Sequence, residues 1–167
     1  MYPTSTPTPV PPSSGAFRFL PTSKSRASQH PTVPPTRRVL VDGQRALAVG
    51  LVGEMAAGLE CLIDPDTWDS VREIAGSRWF LNGPDAARAY VATSTPAARA
   101  AAATKSTNVA VARLIAGKGE ALTGKLVVTL NGSRLDLRRA NLMVVPRSMG
   151  EQFRGSLPLP TVTEGWE

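Results

Sequence analysis

The sequence contains one cysteine and one histidine, two residue types that often carry catalytic or metal chemistry. Its one cysteine, Cys61, excludes an internal disulfide and favours a reducing compartment. Together with the one histidine, His30, it is too little for a zinc site. Cys61 lies in the apolar run 59–63, which predicts a buried structural thiol rather than a nucleophile. His30 lies in a low-complexity segment, where we expect it to be solvated and not catalytic.

Long apolar runs are also absent. None approaches the ~18 residues of a membrane-spanning helix, so no membrane span is expected. No charged segment followed by an apolar one marks a secretory signal. Aromatic residues make up 5% of the chain and hydrophobic residues 42%. The 167 residues therefore predict one domain with tails, whose core is built mainly from Val, Leu and Ala.

Acidic residues are missing from the first 41 positions. Residues 1–37 hold most of the 15 prolines, many Ser and Thr, and the basic residues Arg18, Lys24, Arg26 and Arg37. Such a composition cannot bury enough apolar surface to offset the entropy of ordering. We predict a disordered, Pro-rich, basic tail at 1–37, a folded domain at 38–154 and an extended C-terminal tail at 155–167.

Positive charge is concentrated in part of the chain. The net charge is +6 and the isoelectric point about 10.2. Residues 104–154 carry nine basic and three acidic residues, a balance of +6, whereas residues 42–103 carry five basic and eight acidic residues, a balance of −3. This distribution favours a polyanionic partner such as nucleic acid, with a solvated charged surface as the alternative.

Patterning predicts an α+β fold with small antiparallel sheets. Residues 38–63 suggest strands around an Asp42-Gly43 turn. Asp64 and Pro65 fit the N-cap and first position of a helix. We expect an enlarged hairpin tip at 94–107, with a short helix as the alternative. Residues 108–115 should begin as a strand and pass into a short helix.

The stretch Lys125–Arg154 is the most informative. It predicts a strand at 126–130, a turn at Asn131-Gly132, a polar loop at 133–141 and a returning strand at 142–145. Pro146 fits the first turn of a following helix. The local plan is therefore strand, loop, strand, helix.

This plan resembles the HNH family of ββα-metal nucleases, whose phage members read V-D-H-I-N-G-x-x-L-D-N-R-R-x-N-L. Here residues 127–142 read VVTLNGSRLDLRRANL. A second segment, 111–117, reads VARLIAG, where family members often carry L-H-R-L-I-x-G. A weaker likeness at 64–68 and 78–81 extends the resemblance to residues 38–154. It implies a C-terminal ββα (HNH-like) unit, with its core at about 111–154.

At the positions that match the family's catalytic residues, this sequence has residues of other types. The Asp-His pair that supplies a metal ligand and the general base falls on Val128 and Thr129. The helix Asn falls on Gly150 and the upstream His on Ala112. Because a divalent ion needs oxygen or imidazole ligands and a hydrolytic water needs a base, we expect no enzymatic activity and no metal or other cofactor. By the same resemblance, Asp136, Arg138 and Asn141 are expected to hold the loop's shape, and Arg113 to lie against an acidic partner.

Basic residues around the matching positions could still bind phosphates without a metal ion. The candidate nucleic-acid-binding residues are Lys125, Arg134, Arg138, Arg139, Arg147 and Arg154. DNA is the expected partner ahead of RNA, and the expected location is the cytoplasm of a phage's bacterial host, or a virion. The alternative is a structural component of a large assembly, such as a virion or ribonucleoprotein, with residues 1–37 and 155–167 contacting protein neighbours.

Overall fold

A β-hairpin opens the fold of the computed structural model, which describes residues 34–85, 88–117 and 119–166. Its strands are β1 (Thr36–Val41) and β2 (Gln44–Gly50). The predicted turn is confirmed: Asp42 and Gly43 have φ of 53° and 77°, the pair of positive values that a type I′ turn needs. The predicted disordered tail falls largely on residues 1–33, which lie outside the described residues.

The hairpin belongs to a four-stranded antiparallel sheet. Strand β3 (Glu60–Ile63) pairs with β2, and strand β9 (Val162–Glu164) pairs with β1, giving the order β3-β2-β1-β9. Helix α1 (Pro65–Ala75) follows β3 directly, with Pro65 in its first turn as predicted. These elements, with the small sheets described next, confirm an α+β fold.

The main core lies between α1 and the sheets. Trp68 on α1 meets the fully buried Trp79 edge-on, with ring centroids 5.4 Å apart. The predicted buried thiol is confirmed, since Cys61 on β3 is 0% exposed within this core. Burial raises the pKa of the Cys61 thiol, which keeps it protonated and unreactive.

A second, three-stranded sheet contains β4 (Phe80–Asn82), β5 (Tyr90–Thr93) and β6 (Val109–Ala110). Between β5 and β6 the expected hairpin tip is wrong, and the alternative helix is present as α2 (Pro96–Ala101). The Thr95 hydroxyl caps this helix by accepting from the Ala98 N–H at 3.0 Å, and it donates to the Ile74 carbonyl of α1. Capping and docking on α1 therefore favour the helix over an extended tip.

Helix α3 (Val111–Ala116) follows β6 without a break, as predicted. Strands β7 (Lys125–Thr129) and β8 (Leu142–Pro146) then form a two-stranded sheet. Pro146 was expected to start a helix; instead it ends β8, opposite Lys125. A 3₁₀ turn (Arg147–Met149) separates it from the short helix α4 (Gly150–Phe153).

The C-terminal segment folds back onto the first sheet rather than leaving the domain. The Leu157 N–H donates to the Leu130 carbonyl at 2.8 Å, and β9 then pairs with β1. The indole of Trp166 lies against two guanidinium groups, Arg38 and Arg45, each 4.8 Å from the ring centroid. Its Nε1–H donates to the Ala46 carbonyl at 3.2 Å. Within the described residues, no helix is long and apolar enough to cross a membrane.

Replacing Trp166 by Ala should destabilise the fold. The substitution removes two cation–π contacts of about 0.5–1 kcal/mol each and a hydrogen bond of about 1 kcal/mol. We expect the free energy of unfolding in urea to fall by about 2–3 kcal/mol. Leu159→Ala is the matched control in the same segment, because Leu159 is 72% exposed and should change stability by less than about 0.5 kcal/mol. Equal stability of the two variants would contradict a docked C-terminal segment.

Candidate functional site

The loop that joins β7 to β8 is organised by one buried carboxylate. Asp136 is 1% exposed and accepts two hydrogen bonds from the Arg138 side chain, from Nε at 2.9 Å and from Nη2 at 2.8 Å. It also accepts from Asn131 Nδ2 at 2.8 Å. The hydrogen-bonded carboxylate raises the pKa of Arg138, outweighing the opposite effect of burial. The guanidinium therefore stays charged inside the fold.

Asn141 closes the loop at its base. Its side-chain oxygen accepts from the Asn131 N–H at 2.8 Å, and its side-chain nitrogen donates to the Asp136 carbonyl at 2.8 Å. The Leu130 N–H donates to the Asn141 carbonyl, continuing the β7–β8 ladder. The expected shape-holding role of Asp136, Arg138 and Asn141 matches these contacts.

The loop is also fixed to the first sheet. The Leu62 N–H donates to the Leu135 carbonyl at 2.7 Å, and the Leu137 N–H donates to the Leu62 carbonyl at 2.8 Å. Leu137 is 1% exposed and joins the main core. Asp64 is the N-cap residue of α1 as predicted, but its side chain makes no capping hydrogen bond, because the carboxylate accepts instead from the Arg139 N–H at 2.7 Å.

A cavity of about 260 Å³ lies between the outer edge of β7 and the edge formed by β5, β6 and α3. Most of its walls are apolar, and three arginine side chains line it. The apolar lining comes from Val91, Ala110, Ala112, Leu126, Val127, Val128 and Leu137, and the cations are Arg113, Arg134 and Arg154.

Each of the three arginines is held by contacts of its own. Arg113 donates to the Leu122 and Lys125 carbonyls at 3.2 and 3.3 Å, and the side chains that the structure describes include no acidic partner for it. Arg134 donates to the Arg88 carbonyl. Arg154 pairs with Glu151 at 2.8 Å in an exposed ion pair, which is worth little in water. Among the described side chains, no buried carboxylate neutralises any of these three arginines beside the cavity.

The six predicted binding residues do not share one surface. Arg134 and Arg154 line the cavity, while Lys125 and Arg147 are exposed at the end of the hairpin where Lys125 faces Pro146. Arg139 lies at the opposite edge, in a groove with Leu142 and Val144. Arg138 is 7% exposed and bound to Asp136, so its guanidinium serves the loop and is left out of the candidate surface.

Arg113 is the cavity residue that sequence reasoning assigned elsewhere. Its position between Val111 and Leu114, which are both buried, indicated a partly enclosed side chain. The nature of its partners was not readable, because main-chain carbonyls at the end of a loop leave no sequence signature.

The positions that match the catalytic residues of the HNH resemblance meet at this cavity. Ala112, Val128 and Thr129 all line it. Gly150 lies beside them on α4, where an added Cβ would come within 2.8 Å of Leu126 Cδ1. A larger residue there would have to displace the end of the Leu126 side chain. Among the described residues, no group of three or more His, Cys, Asp or Glu side chains could hold a metal ion.

Comparisons with protein-family models, with curated proteins and with solved structures found no match for this chain.

Removing the Asp136 carboxylate should leave Arg138 buried without a counter-ion. Breaking a buried pair from one side typically costs about 3–5 kcal/mol, so we expect Asp136→Ala to lose about that much unfolding free energy in urea. Replacing Arg138 as well, by Met, should recover part of the loss because the uncompensated charge is gone. Asp69→Ala, which removes an exposed carboxylate from α1, is the control and should cost less than about 1 kcal/mol. A small loss in Asp136→Ala would show that the pair does not organise the loop.

Proposed function

We propose that this chain is a catalytically inactive HNH-like protein that binds nucleic acid. The proposed contact surface, here called the basic face, combines the arginines that line the cavity with the two exposed cations at the end of the hairpin where Lys125 faces Pro146. Its members are Arg113, Lys125, Arg134, Arg147 and Arg154.

One observation carries the proposal: three of the four positions assigned to catalysis by the resemblance line one cavity, and three arginines line it with them. Ala112, Val128 and Thr129 come from two elements that are distant in sequence, yet they line the same space. Their convergence supports an HNH-like arrangement. The order β7, β8, α4, with Gly150 allowing close approach of α4 to β7, supports the ββα interpretation.

The side chains at these positions explain why hydrolysis is not expected. Val128, Ala112 and Gly150 have no oxygen or imidazole that could bind a divalent ion. The Thr129 hydroxyl is a poor substitute for the imidazole that would activate a water molecule. The site therefore keeps arginines that can hold a phosphodiester but lacks the groups that would cleave it.

The arginines supply what phosphate binding requires. A guanidinium offers a planar set of donors that fits two phosphate oxygens, and it remains charged at all physiological pH values. Exchanging the exposed Glu151 for a phosphate would cost Arg154 little. The net charge of +6 adds a long-range attraction to polyanions. Following the resemblance, we propose DNA ahead of RNA, in the host cytoplasm of a phage or in its virion.

The chain should show no metal-dependent nuclease activity. Because the matching positions hold Val128, Thr129, Ala112 and Gly150, plasmid DNA incubated with the protein and Mg²⁺ or Mn²⁺ should remain supercoiled on a gel. Nicking that scales with protein and co-purifies with it through a final column would contradict the proposal. An active HNH nuclease in the same buffer is the positive control.

Duplex DNA binding should depend steeply on salt. If the basic face contacts about five phosphates, log K should fall against log salt with a slope of about −4.5. The double variant Arg134→Ala/Arg154→Ala should flatten this slope by about 2 units, measured by fluorescence anisotropy with a far-UV spectrum to check folding.

Arg139→Ala is the control, because it removes one positive charge by the same substitution at the opposite edge of the hairpin. Its slope should stay within about half a unit of the parent's, as only the +1 contribution to long-range attraction is lost. A double variant that binds like the parent would contradict the basic face. It would favour the assembly alternative, which predicts co-sedimentation with virions or ribonucleoprotein particles.

A further inference from the structure

The outer edge of β7 presents unused main-chain groups to the cavity. The Leu130 N–H donates to the Asn141 carbonyl, and the hydrogen-bonded pairs of an antiparallel ladder alternate along the strand. The main-chain N–H and C=O groups of Leu126 and Val128 therefore point to β8. Those of Lys125, Val127 and Thr129 point outward. The Lys125 carbonyl accepts from Arg113, and the Thr129 carbonyl accepts from the Gly132 and Gly155 N–H groups. Within the described part of the chain, the Val127 N–H and C=O have no partner outside the hairpin.

The cavity thus combines three kinds of surface. Its walls are mostly apolar, with Tyr90 and Thr129 also among the lining residues, and arginines line it. Its β7 side carries outward-facing main-chain groups, which include the Val127 N–H and C=O. A volume of about 260 Å³ is far more than one water needs and is slightly below the ~300–1,000 Å³ of drug-sized ligand sites. It suits a single ring system rather than an extended chain.

We propose that this cavity takes one unpaired nucleobase, with its neighbouring phosphates on Arg134 and Arg154. The inference rests on the proposed function, nucleic-acid binding, and names the feature of the nucleic acid that is recognised. A nucleobase has apolar faces and a polar edge, and it is tied to a phosphate, so it matches all three surfaces at once. The Val127 N–H and C=O would pair with that edge, as main-chain groups do in sites that read single-stranded bases.

A paired base cannot enter the cavity without leaving the duplex. Extrusion costs a few kcal/mol for a paired base and least for one that is already unpaired. The protein should therefore prefer a duplex with a bulged nucleotide over a fully paired one. An abasic bulge provides the same bend and the same phosphates but no ring for the cavity.

The test compares three DNA duplexes of equal length binding to the full chain at one salt concentration. They are fully paired, carry one bulged nucleotide, or carry one bulged abasic residue. We expect the bulged duplex to bind at least about 10-fold more tightly than the paired one, and the abasic bulge to bind like the paired duplex. Equal affinity for paired and bulged DNA, or equal tightening by the abasic bulge, would overturn the inference while leaving the proposed function standing. Absence of binding to all three would overturn both.

Cavity-filling variants link the preference to this site. Ala112→Leu places a larger side chain in the cavity and should abolish the preference for the bulge while keeping the salt slope on paired DNA. Ala116→Leu is the matched control on the same helix, since Ala116 faces the groove at the opposite hairpin edge. If Ala112→Leu does not fold, Ala112→Val makes the same test with a smaller group. A folded cavity variant that keeps the full preference would overturn the inference.

Discussion

The ion pair between Asp136 and Arg138 is the interaction on which the C-terminal half of the structure depends. A loop that carries two buried charges is stable only if those charges meet each other and all their hydrogen-bonding atoms are used. Asp136 meets this demand by binding Arg138 and Asn131, while its own carbonyl is bound by Asn141. The polar residues of the loop thereby form one connected network rather than separate surface contacts.

This network determines where the hairpin lies. With its interior fixed, the loop can place Leu137 in the core and exchange two main-chain hydrogen bonds with Leu62 on β3. β7 is then held with its outer edge facing β5, β6 and α3, and the space left between them is the cavity. The basic face is thus a consequence of how the loop satisfies its buried charges, and loosening the loop would separate the arginines.

Local signals made much of the fold predictable, and distant contacts account for the rest. The Asp42-Gly43 turn, the Asp64-Pro65 helix start and the two apolar strands β7 and β8 were readable because neighbouring residues determine them. Helix α2 was misjudged because its docking on α1 through Thr95 joins distant segments. Within the site, the local sequence does not indicate that Arg138 is buried and Arg134 is accessible. Burial depends on Asp136 and the core, and the identity of the residue does not reveal it.

The pairing of β9 with β1 has a consequence for how the protein is made. Val39 faces Glu164 across the sheet, so the outer edge of β1 stays open until nearly the whole of this sequence has left the ribosome. Until then the nascent chain exposes an unpaired strand next to apolar residues, a state that invites pairing with other chains. Contacts between such distant segments also slow folding. Completion of the first sheet therefore waits for β9, and the nascent protein is most vulnerable to aggregation just before β9 pairs with β1.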